Sequence, residues 1–289
     1  MINLLESIDF YLQKGYEDAY ATAKVAQDII LSKIAKSNYR NNITVKGGVV
    51  MFNITKDKRR ATVDIDIDLI RYSLEDKSIL LLFDKLNQID DGIKIVVNKK
   101  IKPLKHQDYQ GKRVNIILKD SFRNQIETKI DIGVHKNLDI KQEEYMFNFE
   151  VFNNSMTLLI NTKEQIFVEK LSSMLKHGIR TTRYKDIYDF YYLITEGNMD
   201  KSLLIKLINI YCINNISRIN TTSDIVNELS RIFNNPNFLE NVQNSRYNWI
   251  EENTNIVLKT SLANEQKNKS KLVQFVQSLL LFLYTSILK

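Results

Sequence analysis

Asp64, Asp66 and Asp68 alternate with Ile65, Ile67 and Leu69, in a stretch that opens with Arg60 and Thr62. A period of two is that of a β-strand with one buried face, so the carboxylates are expected along one side, roughly 6–7 Å from one to the next. Like charges in a row are unfavourable unless a cation or a ring of donors offsets them. An EF-hand calcium loop also spaces carboxylates by two, but Leu69 stands where that loop needs glycine, and the intervening Ile65 and Ile67 are β-branched. A solvated edge strand that carries acids for solubility is the other reading. Mg2+ takes a near-octahedral oxygen shell at about 2.1 Å, usually one or two carboxylates plus substrate phosphates. Asp64 and Asp66 could supply those carboxylates, with Asp131 brought alongside from a neighbouring strand. Three carboxylates around two ions would align and activate a hydroxyl and stabilise a leaving pyrophosphate.

Just upstream, Lys46 precedes Gly47 and Gly48. Glycines let the backbone approach a phosphate and aim N–H groups at it, above all where a helix begins. An ordinary tight turn uses the same pair, so its meaning comes from Arg60, Thr62, Asp64 and Asp66 downstream. In the second half, Glu169 and Lys170 sit on a helical pattern whose apolar stripe runs through Phe167, Leu171 and Met174. Lys170 flanks that stripe, from where its ammonium can reach a neighbouring cleft or simply snorkel to solvent. Arg183, Lys185, Asp186 and Asp189 follow. Asp186 falls in the first turn of the next helix, which the helix dipole favours in any case, and Asp189 is expected at the solvated surface.

The elements that must position these groups divide the chain in two. Residues 5–37 carry a helical pattern through Ala19, Ala23, Ala26 and Ile30. A short strand at 43–45 enters the glycine turn, and a helix begins at 49–53. Strands are expected at 61–70, 93–98, 113–119 and 125–135, with a helix at 78–86; Asp131 falls on the polar side of the last strand. From about Thr157 helical patterns dominate, at 163–177, 183–195, 201–213, 224–233 and from about Leu272. The expected fold is α+β: a mixed β-sheet domain with flanking helices over residues 1–156, then an all-α domain over 157–289.

A net charge of +7 over 289 residues is compatible with a polyanionic partner, although the excess is modest. Lys99, Lys100, Lys102 and Lys105, after the strand at 93–98, are candidate RNA contacts, as are Lys176, Arg180, Arg183 and Lys185 near the helical motif. Such groups position an RNA through its phosphates without reading its sequence, and each taken singly is equally an ordinary surface cation. The lone Cys212 excludes an internal disulfide and fits a reducing cytoplasm. His106, His135 and His177 lack metal-ligand spacing. Met1–Tyr11 carries acids where a signal peptide would be basic. The apolar run Leu279–Tyr284 is too short to span a bilayer and is expected to pack as a terminal helix. No membrane partner is therefore expected.

Taken together, Lys46-Gly-Gly48, Arg60-x-Thr-x-Asp64-Ile-Asp66, Lys129-Ile-Asp131, Glu169-Lys170 and Arg183-Tyr-Lys-Asp186-Ile-Tyr-Asp189 resemble the AbiEii/AbiGii toxin family of nucleotidyltransferases. These are relatives of the DNA polymerase β superfamily, found as toxin halves of bacterial toxin–antitoxin and abortive-infection systems. The resemblance runs from about residue 44 to 194. It implies Mg2+-dependent (or Mn2+-dependent) transfer of a nucleotide from an NTP, with Asp64 and Asp66 as metal ligands and Asp131 as the third carboxylate. It implies that Lys46, Gly47, Gly48, Arg60, Thr62 and Lys170 hold the nucleotide, that Asp186 is the essential carboxylate of the helical half, and that the active site is a cleft to which both domains contribute. The tRNA 3′ end is the implied acceptor, so that translation is blocked, and the implied partner is an antitoxin encoded nearby. The family commonly has Thr or Ser after the two glycines, and here Val49 removes that hydroxyl. Asp68 is an additional carboxylate, expected behind the metal-binding pair or in solvent. Transfer to a small-molecule or protein hydroxyl keeps the same chemistry with another acceptor. A catalytically silent nucleotide- or RNA-binding module is the alternative from a different class.

Overall fold

The structure is a computed structural model that describes residues 2–104, 111–195 and 197–243. Lys105, His106 and the expected helix from Leu272, with its apolar run at 279–284, lie outside the described residues. The chain divides into two compact units, Met1–Thr162 and Lys163–Lys289.

The first unit is built on a sheet. It opens with α1 (Leu4–Gln13) and α2 (Asp18–Lys36). Asn3 caps α1, its side chain accepting from the N–H groups of Leu5 and Glu6. The helical pattern at 5–37 is thus split in two, because Gly15, at φ 84, makes a left-handed turn that ends α1. α2 is buried from Ala23 to Ala35 and packs on the sheet.

β1 (Ile43–Lys46) runs straight into α3 (Gly47–Thr55), and a 3-10 turn at Lys58–Arg60 leads toward β2 (Ile65–Leu69). Then come α4 (Asp76–Leu86), β3 (Lys94–Val97), β4 (Lys102–Pro103), β5 (Lys112–Lys119), β6 (Gln125–Val134), β7 (Glu143–Phe149) and β8 (Asn154–Ile160). Among the described residues the strand order is β3-β5-β6-β2-β1-β8-β7, with β4 paired on β5. β2 runs parallel to β6 and β1 parallel to β8, whereas the other pairs are antiparallel.

β2 is shorter than its alternation suggests. Residues 61–64 form no ladder, and the strand begins at Ile65. β7 and β8 lie in sequence that carried no strand expectation, and β8 continues the sheet past residue 156. Phe147, Phe149, Leu158 and Ile160 are their buried residues.

The register sorts the side chains. Ile65, Ile67 and Leu69 pair with Ile130, Ile132 and Val134 on one face, where Val45, Val114, Ile116 and Leu118 join them in the core. The opposite face carries the polar partners described below.

The second unit is helical: α5 (Lys163–His177), α6 (Tyr184–Thr195), α7 (Lys201–Tyr211), α8 (Thr222–Phe233) and α9 (Pro236–Gln243). Phe167, Leu171 and Met174 of α5 are buried with Ile187, Phe190 and Leu193 of α6, and the Phe167 and Phe190 rings meet edge-on at 5.0 Å. Thr221 and Asp224 form a reciprocal capping box at the start of α8. The fold is α+β, a mixed sheet with helices followed by a helical unit. Among the described residues no helix is long and apolar enough to cross a membrane.

Candidate active site

The glycine turn and the acidic strand meet. Gly47 has φ 66, and a Cβ added there would collide with Oδ2 of Asp66 and lie 3.1 Å from its carboxyl carbon. A Cβ on Gly48 would come within 2.8 Å of Thr62 Oγ1 and 2.9 Å of Thr62 Cβ. Both glycines are therefore required by close approach: the first N–H groups of α3 start where the side chains of Thr62 and Asp66 already lie. Val49, the departure from the family motif, is 1% exposed and belongs to the core.

Strand register places Asp66 beside Asp131 on parallel β2 and β6, with Lys46 on the other side of Asp66 and Arg113 on the other side of Asp131. Lys46, Asp66, Asp131 and Arg113 form one transverse row on the polar face. Neighbouring strands lie about 4.8 Å apart, so the two carboxylates repel unless cations offset them. Arg113 does so with a two-point fork, Nε to Oδ1 and Nη2 to Oδ2 of Asp131, both at 2.7 Å. The hydrogen bond to Asp131 and the nearby charges of Asp64 and Asp66 hold the Arg113 guanidinium more firmly protonated than usual. Asp64 precedes the strand, half-exposed, with Lys129 Nζ at 3.0 Å.

Arg113 carries no expectation from motif or spacing in the sequence. Asp68, in contrast, is neither solvated nor beside Asp131. It is 3% exposed and pairs with Lys46 Nζ at 2.8 Å, which occupies the ammonium expected to face phosphate. Arg60 and Thr62 are buried at 2% and 7% exposure. Asp64, Asp66 and Asp131 are not drawn into one cage: among the described residues no group of three or more His, Cys, Asp or Glu side chains is close enough to hold an ion. The oxygen donors nonetheless suit a hard cation that takes one or two carboxylates and completes its shell with phosphate and water. Asp64 and Asp66 fit that requirement better than Asp131, both of whose oxygens are engaged by Arg113.

The helical unit holds a second cluster. Lys170, 6% exposed, lies with its Nζ 2.7 Å from Asp186 Oδ1 and 2.8 Å from Asp189 Oδ2. Both aspartates are fully buried, so Asp189 is not the surface residue expected of it; one helical turn of α6 sets both against the same ammonium. Arg183 Nε donates to the other oxygen of Asp186. Burial by itself would raise the Asp186 carboxyl, but Lys170 and Arg183 outweigh it and hold the group down at about 2. Two cations thus offset two carboxylates, and Lys170 is paired with both of them.

Of the expected RNA contacts, Lys99, Lys100 and Lys102 are exposed around β4. Lys176 and Arg180 line a cavity of about 680 Å3 in the helical unit together with Arg218, Arg231, Asp224 and Glu228, so its wall is of mixed charge. Arg183 is drawn instead to Asp186, and Lys185 is half-buried.

Among curated proteins none matches the chain. A solved structure, an antigenic nucleotidyltransferase-like protein from Paracoccidioides brasiliensis, is similar at 14% identity and a TM-score of 0.39, over 76% of this chain and 92% of that one. The sequence profile described as nucleotidyl transferase AbiEii toxin, type IV toxin–antitoxin system, matches residues 29–247, a span that contains the glycine turn, the carboxylate row and the Lys170 cluster. The chain belongs to the AbiEii family of nucleotidyltransferase toxins.

Proposed function

We propose that this nucleotidyltransferase moves a nucleotide from an NTP onto the 3′ end of tRNA in the cytoplasm, with Mg2+ as the cofactor, and that charging and translation stop as a result. The observation that carries the reading is the contact of Gly47 with Asp66, in register with Asp131. It joins a backbone suited to phosphate with carboxylates suited to a hard cation. Asp64 and Asp66 would hold the ion, which when bound supplies charge to the transferring phosphoryl group and the leaving pyrophosphate. Asp131, gripped by Arg113, sets the local charge balance beside Asp66. The first N–H groups of α3 would receive the triphosphate, and Thr62 lies against Gly48 in the loop before Asp64.

In the transfer itself, an acceptor hydroxyl gives up its proton to water as its oxygen bonds to the α-phosphorus, the bond to the α–β bridging oxygen breaks, and pyrophosphate leaves. We assign Lys170 to the triphosphate and Asp186 to the essential carboxylate of the helical unit, as their motif implies. An RNA acceptor is supported by the exposed Lys99, Lys100 and Lys102. The neutralising partner is an antitoxin encoded nearby.

The test is incubation of purified protein with Mg2+, each labelled NTP and total tRNA. Label is expected on tRNA with the wild type and none with Asp66→Ala. Equal labelling by both proteins rules out this site. Pyrophosphate release that needs a protein or small-molecule hydroxyl instead of RNA would move the acceptor out of the nucleic-acid class.

A further inference from the structure

Asp64 stands just outside β2, so no ladder hydrogen bond fixes its backbone, yet its distance from Asp66 decides whether the two can share an ion. Within residues 61–64 the Ala61 N–H donates to the Lys58 carbonyl and the Asp64 carboxylate pairs with Lys129, while Thr62 makes the contacts that reach α2 and α3. Its carbonyl accepts the side-chain Nε2 of Gln27 at 2.8 Å. Its hydroxyl oxygen accepts the N–H of Asp64 at 3.4 Å, and its side chain lies so close to Gly48 that no Cβ would fit there. Gln27 is 2% exposed in the middle of α2, and the next residue, Asp28, is tied by Tyr11 and Lys24 on α1 and α2. The amide is thus mounted on a buried helix, and a buried amide or carbonyl left unpaired is costly.

We infer that Gln27 is a positioning residue: through Thr62 it sets where the Asp64 carboxylate sits and so tunes the affinity for the divalent ion and its nucleotide, without touching either. This rests on the reading of Asp64 and Asp66 as metal ligands. Groups that orient ligands from behind typically change metal affinity by about 10–100-fold when removed.

The experiment measures Mn2+ binding by electron paramagnetic resonance in the presence of a non-hydrolysable ATP analogue. It compares wild type, Gln27→Met, Asn87→Leu and Asp66→Ala, with far-ultraviolet circular dichroism as the check on folding. Gln27→Met keeps the volume and loses the donor. Asn87→Leu removes a comparable pair of hydrogen bonds, those to the backbone of Ile95, elsewhere in the same unit. The expected result is Mn2+ affinity about tenfold weaker for Gln27→Met and unchanged for Asn87→Leu. Wild-type affinity in Gln27→Met overturns the inference and leaves the site standing, as does an equal loss in both variants, which would mean general destabilisation. Wild type and Asp66→Ala binding Mn2+ alike overturns the site and the inference together.

Discussion

At the scale of single residues, Arg113 is the group that most changes how the carboxylates should be understood. It lies in line with Asp131, Asp66 and Lys46, and its fork uses both oxygens of Asp131. A metal ion recruiting Asp131 must therefore compete with a guanidinium already in place. Arg113→Gln is expected to lower the Mg2+ concentration needed for half-maximal transfer, since the competing cation is gone. Its cost in stability should be small, because the side chain is 38% exposed and screening limits such pairs to about 1 kcal/mol. A Mg2+ titration of the variant checks this; a shift to higher Mg2+ would mean that Arg113 holds Asp131 in its working position. The residue could have been found before the structure. In the hairpin of β5 and β6, Lys119 pairs with Gln125, and counting outward from that turn puts Arg113 opposite Asp131. Asp189 was harder to place, because its burial follows from α6 turning two carboxylates toward one lysine, which helix periodicity alone does not reveal.

At the scale of elements, the junction of β1 and α3 makes two adjacent glycines differ in kind. Gly48 has Thr62 against it, so Gly48→Ala overpacks a buried contact and should cost about 1–3 kcal/mol in urea unfolding. Thr62→Ala should recover part of that loss in the double variant, because the hydroxyl and methyl that crowd position 48 are gone. Gly47 faces Asp66, a side chain that can rotate aside, although φ 66 adds a left-handed penalty of about 1–2 kcal/mol for alanine. Gly47→Ala should therefore displace the Asp66 carboxylate and abolish transfer even where the protein remains folded. Assays of activity and unfolding on both variants separate the two effects; equal behaviour would mean that the turn serves packing alone. Strong periodicity made α5 readable to the residue, at Lys163–His177, and fixed the core faces of β5 and β6. β7 and β8 escaped because short runs such as Met156–Ile160 suit a strand or a buried helix equally, and only pairing with β1 decides between them. The start of β2 was misjudged for a related reason: alternation continues through Thr62 and Asp64, but Gly48 and Gln27 hold that segment out of the ladder.

At the scale of the whole molecule, two buried aspartates respond to acid in opposite senses. Burial raises the Asp28 carboxyl despite Lys24 and Tyr11, so protonation relieves a cost in the first unit. Asp186 is the reverse, since Lys170 and Arg183 outweigh its burial and hold it at about 2, against about 3.9 for an unfolded aspartate. Its contribution is present above the unfolded value and is lost as pH falls from about 4 through about 2, on the order of 2 kcal/mol in all. The helical unit should therefore be the part of the chain that acid weakens through this group. The chain's one cysteine reports on it: Cys212 is fully buried at the end of α7, and burial pushes its thiol up to about 12. With 4,4′-dithiodipyridine, which reacts with thiols in acid, Cys212 should be protected at pH 5 and become progressively accessible between about pH 4 and 2. In Asp186→Asn the accessibility should start higher, since the ion pairs are gone, but change less across that window. Protection that persists in the wild type to pH 2, or an equal slope in both proteins, would mean that the Lys170–Asp186 pair does not hold the helical unit together.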